Sequence, residues 1–253
     1  MDDSNPPRPG WARGFVIPGG VIVISRPLGE ELAGWTPRPK AVATRIEGQS
    51  VVLLPLDVSA HVDELFDAAQ GEGSDPWLYT YLAAGPFETI DGFRSWLEAQ
   101  AADPNIGVFT VTDKATGRAI GCVSAMRMDQ ANGSVEIGNI WYAGSLQRTT
   151  GSTEVILLVG DYVFRTLGYR RFEWKCNALH ERSRRAALRF GFEYEGTFRQ
   201  HYVVKGRNRD TAWFAMTDGD WESSIRPALI AWLDPSNFDK NGQQIKRLEA
   251  FRA

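Results

Sequence analysis

Leu146-Gln147-Arg148-Thr149-Thr150-Gly151-Ser152-Thr153-Glu154 stands between two patterns of different period. Before it, residues 134–142 read as a strand, led in by the hairpin signal Asn132-Gly133. After it, Val155, Leu158, Val159, Tyr162 and Val163 recur at helical spacing, which predicts a helix over 153–167 that ends at Gly168. A second strand follows at 172–177. A strand–helix–strand connection of this kind implies a parallel pair. The turn itself is rich in Gly, Ser and Thr, and the helix it opens presents N–H groups without helical partners and a positive dipole end. That combination suits a pyrophosphate, with Gly151 letting backbone approach the ligand and Thr150, Ser152 and Thr153 adding hydroxyl donors. A turn of this composition also serves as a plain helix cap. It fits neither GxxxxGK[ST] nor GxGxxG.

Upstream, 51–56 reads as a strand, Ser59 as the cap of a helix over 61–70, and 89–101 as a second helix ended by Asp103-Pro104. Strands at 108–112, 119–128 and 134–142 form an antiparallel meander. Downstream come a basic helix at 181–190, a hairpin of 192–204 and 211–217 about Gly206, and a helix at 220–233. The fold class is therefore α/β: one mixed sheet with helices on its faces. Residues 1–45 form a Pro/Gly-rich extension with one strand at 21–24, residues 46–233 the domain, and 234–253 a polar C-terminal tail.

The 253 residues carry a net charge of -3, but unevenly. Residues 165–210 hold 12 Lys/Arg against 5 Asp/Glu, which points to an anionic partner for that region, and the acidic remainder favours a cationic acceptor. The acidic, proline-bearing start is unlike a secretory signal, and no apolar run approaches the roughly 20 residues of a membrane span. Cys122 and Cys176 read as reduced core thiols, and His61, His180 and His201 are too scattered for a His-based zinc site. A cytoplasmic protein without metal is expected. Aromatic residues among the basic ones raise nucleic-acid binding, which core-strand spacing and the overall acidity disfavour.

Arg148-x-x-Gly151-x-Thr153 resembles the coenzyme A loop of the GCN5-related N-acetyltransferase (GNAT) superfamily, whose pattern is Gln/Arg-x-x-Gly-x-Gly/Ala. Thr153 departs from it. The longer string 147–154, then 176–186 and Gly191-Phe192, is similar to the RimJ/RimL-like branch, and the likeness spans about residues 50–217. The resemblance implies a mixed, mostly antiparallel sheet of six or seven strands, in which the parallel neighbours 134–142 and 172–177 splay apart. It implies acetyl-CoA as co-substrate, with its pyrophosphate on 148–153 and its pantetheine arm along the backbone of Trp141 and Tyr142. Gln147, Arg148, Thr149, Thr150, Gly151, Ser152 and Thr153 then bind cofactor, with Asn177 and His180 beside them. The reaction implied is direct attack of a primary amine on the thioester; a longer acyl group, or CoA binding without turnover, stays open.

An amine arrives mainly as ammonium, and Glu136, on the strand face opposite Val135 and Ile137, is the candidate base, directly or through water. A half-exposed structural glutamate is the other reading. Gly138 in mid-strand marks a close backbone approach. The family's usual tyrosine acid falls at Ala187, so Ser183 is left to assist the leaving thiolate or to hydrogen-bond the cofactor. His180 stands where the branch carries Asn, as a cofactor contact, a helix cap or a proton acceptor. Arg182, Arg184, Arg185 and Arg189 crowd one short helix, and Arg182 and Arg185 are assigned to the CoA phosphates. Trp77, Tyr79 and Tyr81, two apart, share a side if their segment is extended and then bind substrate; core packing is the alternative. His201, Arg209 and Asp210 border the same acceptor region. The acceptor is a small-molecule amine or a protein N-terminal amine, and a homodimer is open.

Overall fold

The computed structural model describes residues 15–16, 22–23 and 27–252. The chain divides into two units, 1–36 and 37–253. In the first, β1 (Phe15–Val16) pairs antiparallel with β2 (Ile22–Val23); the rest of the strand expected at 21–24 lies outside the described residues.

The second unit is built on one eight-stranded sheet. In chain order its elements are β3 (Ile46–Glu47), β4 (Val51–Pro55), α1 (Val58–Gln70), α2 (Ile90–Ala102), β5 (Gly107–Asp113), β6 (Ala119–Asp129), β7 (Ser134–Tyr142), α3 (Thr150–Asp161), β8 (Arg171–Asn177), α4 (Glu181–Arg189), β9 (Glu193–Val204), β10 (Arg207–Thr217), α5 (Asp218–Asp220) and α6 (Arg226–Leu233). The sheet order is β3-β4-β5-β6-β7-β8-β10-β9. Every neighbouring pair is antiparallel except β7 with β8. The mixed α/β class is as expected, and β3, only two residues long, is the strand beyond the six or seven.

Two apolar layers sandwich the sheet. On one side Val62, Leu65 and Ala69 of α1 and Phe93 and Leu97 of α2 bury against Cys122 and Trp141. On the other, Val155, Ile156 and Val159 of α3 join Trp221, Leu229 and Trp232 over β4–β8. The Trp221 ring sits directly on α3: a Cβ at Gly160 would lie 2.2 Å from it.

Several boundaries move for definite reasons. Asp57, not Ser59, caps α1: its carboxylate accepts from Ala60 N at 3.1 Å, while Ser59 Oγ donates to that same carboxylate at 2.6 Å. α3 begins at Thr150, three residues early, because Thr149 accepts from Ser152 N. It passes at Tyr162 into a π turn, Tyr162–Thr166. The 75–82 segment is not extended. A 3-10 turn at Leu78–Thr80 sends Trp77 to the surface, 71% exposed, and buries Tyr79 at 8%, so the three aromatics do not share a side.

Residues 37–43 lie along the sheet, where Tyr169 Oη donates to Pro39 O at 2.8 Å and Tyr162 Oη to Val42 O at 2.5 Å. The polar C-terminal segment is ordered onto α6. Asn237 is buried and donates to Trp232 O and Lys246 O, both at 3.1 Å, and Leu248 is buried. No described helix is long and apolar enough to cross a membrane.

Candidate active site

Pairing of β7 with β8 runs from Ser134↔Arg171 to Ile137↔Trp174 and then stops. On its other side β7 bulges at Asn139, whose φ is 48° and whose side chain donates to Gln100 at 2.7 Å. The bulge turns β7 away from β8 and leaves the backbone of 138–142 unpaired along that edge. A cavity of about 1430 Å³ opens there. Seven cationic side chains and three acidic ones line it.

One end of the cavity belongs to the turn before α3. Arg148 takes a left-handed φ of 62°, a conformation that costs a non-glycine residue energy and that recurs at ligand sites. Gln147 Nε2 donates to Tyr142 O at 2.9 Å, and Thr149 Oγ1 to Leu146 O at 2.8 Å, so the turn is tied down from both sides. Gln147, Arg148, Thr149, Thr150, Ser152 and Thr153 line the cavity. Gly151 does not. Its missing Cβ faces Leu146 Cδ1 at 3.0 Å and Val51 Cγ1 at 3.1 Å, so glycine here allows α3 to close on the core rather than a ligand to approach. Glu154 anchors the same turn from behind. Its buried carboxylate accepts from Gln49 N, from Ser50 N at 2.9 Å and Oγ at 2.5 Å, and from Val51 N at 3.3 Å.

Across from this turn, Arg182, Arg185 and Arg189 of α4 face the cavity. Arg189 donates to the buried Thr153 Oγ1 at 3.1 Å and lies 4.8 Å from the Trp232 ring, so the departure at Thr153 has a use: it holds an arginine. Burial, the largest influence, holds the Arg189 guanidinium below its usual range. Arg184 is not part of this set. It donates to Ala178 O at 3.4 Å and lies 5.9 Å from the Tyr194 ring. Sequence reading missed Phe238, Gly242, Gln243 and Gln244, which complete this end of the cavity. They are polar or isolated residues beyond the last helix, where no periodic pattern could announce them. An exposed helix N-terminus faced by arginines fits a diphosphate-bearing cofactor.

Glu136 lies at the centre, 3% exposed rather than half-exposed. Arg127 Nη1 donates to its Oε1 at 2.8 Å, and Lys175 Nζ stands 3.0 Å from Oε2 and 2.7 Å from Glu173. Gly138 lies close to these neighbours: a Cβ there would crowd the Met126 thioether and stand 3.2 Å from Glu136 Oε1. Ser183 Oγ accepts from the Trp174 indole at 2.9 Å and lines the cavity. Asn177 lines it too, with its side chain accepting from Leu179 N at 2.9 Å. Trp141 is buried against α2 yet contributes to the wall, as does Tyr142, whose buried hydroxyl is pushed well above its ordinary pKa.

His180 precedes α4 but its side chain caps no N–H. The ring stacks on Tyr81 at 4.5 Å, and Tyr81 Oη donates to Leu179 O at 3.3 Å. Burial first, and then Arg182 and Arg209, hold the His180 imidazole below its usual pKa. Trp77 and Tyr81 line the cavity as well. Tyr79 does not, because its ring turns into the α1–α2 core. His201 also stays outside the wall; it packs edge-on to Phe198 on β9. Lys205, at the β9–β10 turn, donates to Tyr79 O at 2.8 Å and Ala84 O at 3.2 Å and straps the hairpin to the aromatic segment.

A family model described as an acetyltransferase (GNAT) domain matches residues 51–193. The chain is 47% identical to a GCN5-related N-acetyltransferase from Brucella melitensis of known structure. That likeness covers 87% of this chain and 99% of the other, with a TM-score of 0.84. It is 40% identical to a structure described as a probable GNAT-family acetyltransferase from Chromobacterium violaceum, over 79% of this chain and 98% of that one, TM-score 0.73. Among curated sequences, it is 26% identical over 151 residues to an uncharacterized N-acetyltransferase, p20, from Bacillus licheniformis. That match spans 56% of this chain and 82% of the relative.

Proposed function

The chain belongs to the acetyltransferase (GNAT) family, and from that premise we propose that it moves an acetyl group from acetyl-CoA to a primary amine without an acyl-enzyme. The observation that carries this reading is the coincidence of three features at one cavity: the unpaired edge of β7, the arginine-faced N-terminus of α3, and the buried Glu136. Acetyl-CoA supplies the thioester. Arg148, Thr149, Thr150, Ser152 and Thr153 hold its pyrophosphate, with Arg182, Arg185 and Arg189 closing on the phosphates, and Asn177 and the 138–142 backbone hold the pantetheine arm. Strings 147–154 and 176–186 support assignment to the RimJ/RimL-like branch.

Glu136 takes the amine proton, directly or through one water. Arg127 and Lys175 hold the carboxylate in one orientation, so the base is fixed before substrate arrives. Ser183, fixed by Trp174, presents its hydroxyl to the departing sulfur, and neutral His180 with Tyr81 and Trp77 walls the acceptor. Positioning supplies much of the rate.

Glu136→Gln tests the reading. Turnover falls by about 10²- to 10⁴-fold, the range of a lost general base, while acetyl-CoA affinity holds within about twofold. Undiminished turnover assigns the base elsewhere. A wild-type chain that binds acetyl-CoA and acylates no amine is a CoA-binding protein. Succinyl-CoA in the same assay decides between the short and longer acyl donors.

A further inference from the structure

The charges around Glu136 form a closed account with one cation left over. Glu136, Glu173 and Glu195 are matched by Arg127, Lys175 and Arg171, in contacts of 2.5–3.0 Å. Arg209 is outside that network. It lines the cavity from β10, just past the end of β8, where Ala178 N donates to Asp210 O at 2.9 Å. Among the described residues no carboxylate lies within ion-pair reach of it. Asp210 beside it is turned away, accepting from Gln200 N at 2.7 Å and Asn208 Nδ2 at 2.9 Å. The Arg209 Nε is buried without a hydrogen-bond partner, and the guanidinium lies 5.7 Å from the Tyr202 ring.

Its position is on the acceptor side. Burial first holds the Arg209 guanidinium below its usual range, and the residue is close enough to Arg127 and Glu136 to feel their charges. The cofactor phosphates have other arginines, on α4 and in the turn before α3. A half-buried guanidinium that lines the cavity with no carboxylate paired to it has lost hydration that a bound anion restores. Guanidinium geometry matches the two oxygens of a carboxylate.

We propose that the acceptor is an amine that also carries a carboxylate, and that Arg209 binds this carboxylate while Glu136 receives the proton of the amine. The inference rests on the acyl-transfer reading above and narrows its substrate class. It also departs from the expectation of a cationic acceptor drawn from the acidic remainder of the chain, because Arg209 is the cavity-lining cation assigned neither to the cofactor phosphates nor to a glutamate. Arg209 is a specificity residue here. It touches the substrate but not the reacting atoms.

The test is a panel of α-amino acids set against their amides and the corresponding decarboxylated amines, followed by thiol release from acetyl-CoA with the wild-type chain, Arg209→Ala and Arg209→Lys. In the wild type kcat/KM favours the carboxylate-bearing set by about tenfold to a hundredfold, the value of one charged hydrogen-bonded pair. In Arg209→Ala that ratio falls towards one, chiefly through KM, and Arg209→Lys recovers part of it. Acetyl-CoA affinity is the same in all three. The wild-type comparison stands by itself if a variant fails to fold. Equal kcat/KM for both sets in the wild type overturns the carboxylate alone. Arg209→Ala weakening acetyl-CoA binding tenfold assigns the residue to the cofactor and overturns it as well. Thiol release with no member of either set overturns the acyl-transfer reading, and this inference with it.

Discussion

Glu154→Ala removes the group that ties the start of α3 to the β3–β4 turn. Its carboxylate receives three backbone N–H groups, of Gln49, Ser50 and Val51, and the Ser50 hydroxyl. Hydrogen bonds to a charged group contribute about 1.5–3 kcal/mol each when intact. They do not add in full here, because Gln49 and Ser50 are exposed and their N–H groups regain water in the variant. Val51 N, at a residue only 2% exposed, does not. A net loss of about 3 kcal/mol follows, two such bonds' worth. At about 2–4 °C per kcal/mol for a chain of this size, Tm falls by about 6–12 °C. Glu154→Gln, which keeps one acceptor oxygen, falls by about half as much. Differential scanning fluorimetry reads both, and the acetyl-CoA KM of Glu154→Gln rises because the turn proposed to hold the cofactor phosphates is less firmly anchored. A drop below 2 °C in Glu154→Ala would refute the view that this carboxylate is the anchor.

Gly160→Ala drives a methyl group into the ring of the fully buried Trp221 and lowers stability by about 1–3 kcal/mol, read as denaturant midpoint at constant m-value; an unchanged midpoint contradicts the packing described. Thr153→Val keeps shape but frees Arg189, so acetyl-CoA affinity falls about two- to tenfold by calorimetry with the amine KM unmoved. Burial lowers the pKa of His61 and His180 from 6.5. The unfolded chain then binds more protons than the folded one, so the contribution of these groups is whole above about pH 6.5 and is lost as pH falls through the lower folded values. Tm should decline between pH 7 and 5, and the His61→Gln/His180→Asn double variant should flatten that slope. A slope unchanged in the double variant assigns the acid sensitivity elsewhere.

The fold was legible wherever a period repeated over several residues. The β5–β7 meander and the crossover through α3 carry long runs of buried apolar positions, and their boundaries fall within a few residues of expectation. Local competition decided the misplaced caps, since Asp57 and Ser59 are both good caps and only the carboxylate reaches Ala60 N. The turn 147–153 was legible by composition, but the role of Gly151 was not, because whether a glycine admits a ligand or a neighbouring side chain depends on Val51, a hundred residues away. Tyr79 failed as a site residue when a 3-10 turn replaced the extended backbone its spacing assumed. The ion network of Glu136, Arg127, Lys175 and Glu173 spans three strands, and no sequence spacing records cross-strand neighbours.

The central claim is that the notch between β7 and β8 binds acetyl-CoA and gives its acetyl group to an amine. Thiol release from acetyl-CoA, followed together with mass-spectrometric detection of the acylated amine across the amine panel, tests it most directly. The account predicts one thiol freed per N-acetyl product, with both signals lost together in Glu136→Gln. Thiol release without any acylated amine, or an equal yield from the variant, would contradict it.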